Sequence, residues 1–293
     1  MPAQLPEPGA VFLDHVAHFV PAMEPAAAAL AGCGFRLTPF TAQTNRVKGK
    51  PVAAGMGNRC AMLRRGYVEI LAATGDAPLA RQLADRLTRH VGLHLAAFSC
   101  ADAGREHRRL ADAGFPVLPL VDMRRPVTTE NGKEDARFTI TRIAPGVMAE
   151  GRTQFLTHHT EKLVWPERHL DHPNGALALL ALWIAAADPD EPARRFAQFT
   201  GRPARREREV ATIALDRGVL RFASPEYLQR EFGIPPGAPL PYLAAYEIEV
   251  AGLGRAGQLL AHAGLAVRPI DDGLALTLPP SLGGAIVFRA PDG

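Results

Sequence analysis

Two histidines and one glutamate stand where they could together hold a metal ion. His15 lies in the apolar segment LDHV, His94 in GLHL, and Glu69 in YVEIL. Because alternate side chains of a strand face the same way, Glu69 should share a face with Tyr67 and oppose Val68. A carboxylate in such a strand is costly to bury unless it is paired or binds a metal. Two imidazoles and one carboxylate are a suitable ligand set for a divalent metal with open positions.

Four further polar residues are candidates for substrate binding. Arg46, Asn58 and Arg59 flank a segment, residues 45–57, that is rich in Gly, Pro and Lys and could cover a site. An arginine there could hold a substrate carboxylate in a two-pronged contact. Tyr67 is included because it shares its strand face with the glutamate. For Asn58 and the two arginines, the alternative interpretation is that they are ordinary turn and edge residues.

A second pair of histidines, His158 and His159, interrupts an otherwise apolar run between Phe155 and Trp165. A strand does not bury two imidazoles cheaply without partners, and alternation lets only one of them face inward. We predict that His159 does so. It would then stand beside Glu69 as a base that could shuttle a proton. The alternative is that both histidines face water at a turn.

The elements that position these residues repeat along the chain. The strand that holds His15 is followed by an Ala-rich helix that ends at Gly34, and the strand that holds His94 by a helix that ends at Gly114. The spacing from histidine to glycine is 19 positions (34 − 15) in the first case and 20 (114 − 94) in the second. Three strands are predicted after each helix, and the same pattern returns more faintly in the C-terminal half. The sequence therefore predicts an α+β fold of four repeated βαβββ modules.

The modules are predicted to pair into two domains. The first, residues 10–168, carries the candidate site, and the second, residues 172–293, is a degenerate copy with a structural or covering role. A connector over 166–175 joins them. We predict that residues 153–165 form the last strand or strands of the second module. The chain has no GxGxxG unit between a strand and a helix, which argues against a dinucleotide site.

Composition excludes several classes of protein. The net charge is only +3 and 6% of residues are aromatic, whereas a nucleic-acid-binding surface usually concentrates basic residues with aromatic ones. Cys33, Cys60 and Cys100 are widely spaced in apolar runs, so we predict free buried thiols. The longest apolar stretch, 176–187, is shorter than the roughly 20 residues that a membrane span needs. With no leader-like N-terminus, the sequence indicates a cytoplasmic protein that contacts neither nucleic acid nor membrane.

Short motifs give the chain a resemblance to a known family. LDHVAHFVP, YVEILA and GLHLAAF resemble three strand motifs of the vicinal oxygen chelate superfamily, and GNRCAML and HPNGA resemble its glyoxalase-like domain family. The resemblance implies paired modules with U-shaped mixed sheets, and metal ligands at His15, Glu69 and His94. The family's fourth ligand, a glutamate on the last strand of the second module, has no match in EKLVW. His158 or His159 could replace it.

The resemblance also implies a function. The first interpretation is an isomerase or lyase that uses a divalent metal (Zn, Ni, Mn, Fe or Mg) to act on a small α-hydroxycarbonyl or enediolate-forming substrate. The alternative is a metal-free protein of bleomycin-resistance type that binds and sequesters a small molecule. An extradiol-type dioxygenase is less favoured, because the C-terminal half has no histidine in the family's ligand positions. A homodimer is compatible with the family.

Overall fold

The computed structural model describes residues 4–47, 50–129 and 132–291. The described residues form two eight-stranded mixed sheets joined by helices and loops. The strands of the first sheet are β1 Phe12–Val20, β2 Thr41–Val47, β3 Lys50–Met62, β4 Tyr67–Ala73, β5 Gly92–Ser99, β6 Val121–Thr129, β7 Gly132–Arg142 and β8 Arg152–His158. The strands of the second are β9 Ala176–Ala185, β10 Ala204–Glu207, β11 Val210–Ala214, β12 Val219–Ala223, β13 Tyr242–Val250, β14 Val267–Ile270, β15 Gly273–Thr277 and β16 Ala285–Arg289.

Helices connect the strands and pack on both faces of the sheets. The α-helices are α1 Met23–Gly32, α2 Pro78–Leu87, α3 Ala103–Asp112, α4 Glu161–Val164, α5 Asp190–Thr200, α6 Pro225–Phe232 and α7 Leu253–His262, and a single 3₁₀ turn spans Glu167–His169. The Asp102 side chain caps α3 by accepting from the backbone N–H groups of Gly104 and Arg105. Gly34, just after α1, has a φ of +83°, which favours glycine at a helix end. None of the described helices is long and apolar enough to cross a membrane.

The sheet order confirms the predicted α+β fold of βαβββ modules. The orders are β2-β3-β4-β1-β5-β8-β7-β6 and β10-β11-β12-β9-β13-β16-β15-β14. Each sheet therefore contains two modules, whose first strands pair antiparallel at its centre, β1 with β5 and β9 with β13. In each module the first and last strands run parallel, as β1 does with β4 and β5 with β8. The two sheets, each made of two modules, are consistent with two paired glyoxalase-like domains.

The buried core has three parts. The largest contains residues from both sheets and from α1, α3, α5 and α7, so it joins the two halves of the chain. A second lies on the other face of the first sheet, and a third on the corresponding face of the second sheet. The three cysteines are free and buried, as predicted, and burial raises the pKa of each thiol to about 12.

The structure corrects the predicted end of the second module. Strand β8 ends at His158, and the helix α4 follows where the sequence indicated a continuing strand up to Trp165. The EKLVW segment is thus helical and does not correspond to YVEIL. The last strand of the second module is the preceding segment, RTQFLTH. This change moves the second module's candidate ligand position from Leu163 or Val164 to a residue of β8.

Candidate functional site

The structure brings His15 and Glu69 together. They lie on the neighbouring parallel strands β1 and β4, and His15 Nε2 is 3.8 Å from Glu69 Oε2. Both side chains are almost wholly buried. Tyr67 lies on the same face of β4, as alternation predicts, and its ring stacks on the His15 imidazole with 4.2 Å between centroids. Val68 packs into the core on the opposite face of the sheet.

A buried aspartate orients His15. The Asp14 Oδ1 atom accepts a hydrogen bond from His15 Nδ1 at 2.6 Å, and Oδ2 is 2.8 Å from His158 Nε2. Adjacent residues of a regular strand face opposite ways, but the pairing of β1 with β5 shifts between Leu13 and His15. This bulge at Asp14 turns its carboxylate toward the imidazole that follows it. Burial would raise the pKa of Asp14, but the charge of His158 and hydrogen bonds from both imidazoles outweigh it and hold the pKa well below its usual range.

Asn58 holds the glutamate. Its Nδ2 donates a hydrogen bond of 2.5 Å to Glu69 Oε1, across the antiparallel pair of β3 and β4. The remaining oxygen, Oε2, is the one nearer His15. The amide oxygen of Asn58 is buried without a hydrogen-bond partner in the described structure. Asn58 therefore orients the carboxylate and offers one further acceptor beside it.

A cavity of about 680 Å³, counting its open mouth, is lined by His15, Asn58, Tyr67 and Glu69. It lies on the face of the first sheet away from the helices α1 and α3. Glu69 is the only carboxylate among the described lining residues. Arginines dominate the charge: the four that line the cavity are Arg124, Arg125, Arg142 and Arg152. The Nε atoms of Arg125 and Arg142 are buried without partners in the described chain. A cavity with this charge favours a negatively charged occupant.

His94 lies elsewhere. Its ring packs against that of His90, tilted by 33° with 3.9 Å between centroids, and its Nε2 is 2.9 Å from the His90 carbonyl oxygen. It does not line the cavity that holds His15. Burial, with a smaller effect of His90, lowers the pKa of His94 to about 3, so the ring is neutral at pH 7. The predicted convergence of His94 with His15 and Glu69 does not occur in the structure.

The physical reason is a one-residue offset between the modules. The glycines that end α1 and α3 are 80 positions apart (114 − 34), which makes Leu95 the counterpart of His15, and His94 the counterpart of Asp14. Leu95 lines the cavity as His15 does. The pairing of β5 with β1 is also irregular at His94, so this residue occupies a bulge. At this bulge the His94 ring packs against Phe19 and His90 and does not enter the cavity.

The last strands of the two modules show the same correspondence. Gly66 and Gly151 occupy equivalent places, because each lies against the corresponding residue of its module's first strand. A Cβ at Gly66 would lie 2.7 Å from the Asp14 carbonyl oxygen, and a Cβ at Gly151 would lie 2.7 Å from the His94 carbonyl oxygen. These glycines are 85 positions apart (151 − 66), which makes Gln154 the counterpart of Glu69 (154 − 69 = 85). Gln154 lines the cavity, and its Oε1 is buried without a partner in the described chain. The sequence did not predict Gln154 as a site residue, because the ligand position was expected in EKLVW, whereas the strand β8 ends before that segment.

The structure separates the other predicted site residues. His158 faces inward and contacts Asp14, whereas His159 is exposed and its Nε2 lies 2.8 Å from Thr139 Oγ1. His159 therefore does not reach the cavity, contrary to expectation, because the inward parity of β8 is that of Gln154 and His158. Arg59 faces the helix side of its strand, where it lies 3.7 Å from Glu24 of α1. The side chain of Arg46 lies outside the described part of the structure.

The donor atoms in the cavity fit a metal only in part. No group of three His, Cys, Asp or Glu side chains among the described residues could hold a metal ion. His15 and Glu69 are two such donors, and the unpartnered amide oxygen of Gln154 is a third donor of a different type. The Asp14–His15 pair is the arrangement that usually orients a metal-binding imidazole. One nitrogen and two oxygens suit a hard cation that keeps water or substrate oxygens as its other ligands.

Comparison with known proteins agrees with the fold. A hypothetical protein from Staphylococcus aureus aligns with a TM-score of 0.65 at 9% identity, covering 96% of this chain and 99% of that one. A Mn(II)-bound glyoxalase from Novosphingobium aromaticivorans aligns at 0.55 and 7% identity, covering 96% and 82%. A mutant 4-hydroxymandelate synthase from Streptomyces coelicolor aligns at 0.54 and 13% identity, covering 96% and 93%. At these identities the likeness shows the fold alone. Among curated proteins, none matches the chain.

The arrangement of paired βαβββ modules around one cavity defines a protein of the vicinal oxygen chelate class. The chain belongs to the glyoxalase-like domain family, whose model matches residues 13–200. The matched segment includes the whole first sheet, together with β9 and α5 of the second half. The predicted family is therefore confirmed.

Proposed function

We propose that this protein is an enzyme of glyoxalase type, which isomerises or cleaves a small oxygenated substrate in the N-terminal cavity with the help of a divalent metal. The observation that supports this most is the pair of His15 and Glu69. Their free atoms, Nε2 and Oε2, are 3.8 Å apart in a buried cavity. Each side chain is fixed by its own hydrogen bond, from His15 to Asp14 and from Asn58 to Glu69. Preorganised groups of this kind are typical of catalytic sites.

His15, Glu69 and Gln154 would hold the metal, in place of the set that included His94. Because Asp14 accepts from His15 Nδ1, the Nε2 lone pair is directed away from Asp14 and is free to bind. When bound, the metal would act as a Lewis acid that stabilises negative charge on a substrate oxygen. With only one imidazole and one carboxylate from the chain, we expect the free protein to bind the metal weakly, and substrate oxygens to complete the site.

The chain's own residues supply the proton transfer. For an α-hydroxycarbonyl substrate, Glu69 would take the proton from the carbon that bears the hydroxyl and return it to the former carbonyl carbon. The hydroxyl proton would pass to the former carbonyl oxygen, so that the new carbonyl forms on the first carbon. Arg125 lines the same cavity and would stabilise the negative charge that develops on the oxygen. Glu69 is the only described carboxylate of the lining, which makes it the residue for this role; His159 is too exposed to share it.

A second candidate is a metal-free protein that binds and sequesters a small anion. Leu95 favours it, since an apolar side chain occupies the position that corresponds to His15. The amide of Gln154 occupies the position that corresponds to Glu69, so two of four symmetry-related positions carry no titratable group. The two candidates differ in whether the bound molecule reacts and in whether the reaction needs Glu69.

Proton exchange at carbon separates the two candidates. The protein would be incubated in deuterated buffer with Mn²⁺ and, one at a time, small α-hydroxycarbonyl compounds such as glyceraldehyde and hydroxypyruvate. Proton NMR then follows the loss of the signal next to the carbonyl. We expect exchange in the wild-type protein, its loss in Glu69→Gln, and its retention in Glu167→Gln, a matched change at an exposed glutamate. Exchange that survives in Glu69→Gln would contradict the proposal. Binding without exchange would favour the sequestering protein.

The same proposal assigns roles to the two halves. Residues 10–168 would form the catalytic domain and residues 172–293 a second domain that supports it from the shared core, with the protein acting in the cytoplasm. Contacts between the halves support a stabilising role. His18 of β1 lies 3.1 Å from the Leu282 carbonyl oxygen and 3.3 Å from the Tyr246 hydroxyl. Residues 1–168 expressed alone should therefore be less stable than the full chain, as measured by thermal unfolding.

A further inference from the structure

A second cavity adjoins the first and shares two arginines with it. It encloses about 780 Å³, counting its open mouth, and lies between α2 and the segment that joins β7 to β8. Arg142 and Arg152 line both cavities, and Arg86 of α2 lines the second one alone. A molecule that reached from one cavity to the other would pass these guanidinium groups.

The three arginines have little to neutralise them. Within the described ranges, no carboxylate forms an ion pair with Arg86, Arg142 or Arg152, and Arg142 Nε is buried without a partner. Among the described hydrogen bonds, Arg152 donates only to the Gln82 amide oxygen, at 3.4 Å, and Arg86 only to the Ala149 carbonyl oxygen, also at 3.4 Å. Such long contacts are weak hydrogen bonds. The Arg152 guanidinium also lies over the Phe19 ring, 5.4 Å from its centroid.

The charges also oppose one another. Burial, followed by repulsion from Arg142, lowers the pKa of Arg152 to about 9, and burial lowers the pKa of Arg142 and Arg86 from the ordinary value. The one acidic side chain of the described lining, Asp85, is exposed at the rim. The three guanidinium groups are half-buried, and attraction from Glu69 to Arg152 and from Glu150 to Arg86 offsets their burial only in part. Cations in such a place destabilise a fold, so a bound anion would stabilise the cluster.

We infer that this second cavity binds an oxyanion, a phosphate or a carboxylate, at the end of the substrate that does not react. The inference rests on the proposed function, since it takes the His15–Glu69 cavity as the place of reaction. The substrate would then be an elongated anion. Its oxygenated carbon atoms would lie near Glu69, and its charged end between Arg86, Arg142 and Arg152. Guanidinium groups bind both oxyanions in two-pronged contacts, which suits them to this role.

The test uses the full chain without added metal, with inorganic phosphate and acetate as probes in a buffer free of other oxyanions. Binding is measured by calorimetric titration and by the shift in melting temperature. We expect phosphate or acetate to bind and to raise the melting temperature, and whichever binds more tightly identifies the charged group. Arg142→Met should lower the affinity by about tenfold or more. Arg108→Ala, at an exposed helix position, is the matched control and should leave the affinity unchanged.

Stability without the probe distinguishes a binding role from a structural one. Because Arg142 is a half-buried cation with no ion-pair partner among the described residues, Arg142→Met should melt at the same or a higher temperature than the wild type when no anion is present. The inference is overturned if neither probe binds, if Arg142→Met binds both as the wild type does, or if that variant melts lower in the absence of anion. The outcome is separate from that of the proposed function. Oxyanion binding that depends on Arg142, with no proton exchange, would contradict only the proposed function. Proton exchange without oxyanion binding would contradict only the inferred oxyanion site.

Discussion

Replacing Asp14 with asparagine should destabilise the protein and disorder the site. Asp14 is fully buried and bonds to His15 at 2.6 Å and His158 at 2.8 Å. A hydrogen bond to a charged group contributes about 1.5–3 kcal/mol, and breaking a buried ion pair costs about 3–5 kcal/mol. An asparagine can accept from only one of the two imidazoles through its single oxygen. We therefore expect Asp14→Asn to lower the free energy of unfolding by about 3–5 kcal/mol.

The measurement is equilibrium unfolding in urea at pH 7, with the tautomer of His15 followed by nitrogen-15 NMR. Asp102→Asn is the control, because Asp102 also accepts two hydrogen bonds, at 2.8 and 3.1 Å, but lies exposed at the start of α3. Asparagine caps helices about as well as aspartate, so that change should be close to neutral. If Asp14→Asn lost less than about 1 kcal/mol and left the His15 tautomer unchanged, the account of how the imidazole is oriented would be wrong.

Three further predictions follow from the same structure. Leu95→His should place a second imidazole in the cavity and raise Mn²⁺ affinity by about tenfold or more, whereas His94→Ala should leave that affinity unchanged; metal titration measures both. Burial lowers the pKa of His18 to about 4 and that of His94 to about 3, from 6.5 in the unfolded chain. Below pH 6.5 the unfolded state then binds more protons, so stability present at neutral pH is lost as the pH falls toward 3. The largest loss in the free energy of unfolding is about 3 kcal/mol for His18 and about 5 kcal/mol for His94, at about 1.36 kcal/mol per pKa unit. Urea unfolding as a function of pH measures this loss. Arg125→Ala should weaken the binding of hydroxypyruvate in the first cavity, and Arg59→Ala should not, as calorimetric titration would show.

Sequence patterns predicted the repeated modules and half of the candidate site. The strand and helix around His15 and around His94 are those of β1, α1, β5 and α3, because apolar strands and helix-ending glycines are local signals. The face of Glu69 was also predictable, since strand alternation fixes it relative to Tyr67 and Val68. The proximity of His15 to Glu69 then follows from the parallel pairing of the first and last strands of a module.

The rest depended on register, which a single sequence does not specify. His15 lies 19 positions before the glycine that ends its helix and His94 lies 20, so His94 is one residue away from the position that corresponds to His15. The bulged pairing of β1 with β5, which the sequence does not reveal, explains this offset. The choice between His158 and His159 likewise depended on where β8 begins. The arginines of the cavity come from distant strands, β6, β7 and β8, whose antiparallel pairing no local pattern reveals.

The central claim is that His15 and Glu69 form one site, and anomalous scattering tests it most directly. A crystal grown with Mn²⁺ and inorganic phosphate would be measured at a wavelength where manganese scatters anomalously. We expect a manganese peak in contact with both His15 Nε2 and a carboxylate oxygen of Glu69, and the loss of that peak in Glu69→Gln. A peak at His94 or at the protein surface, or none in the cavity at saturating Mn²⁺, would contradict it.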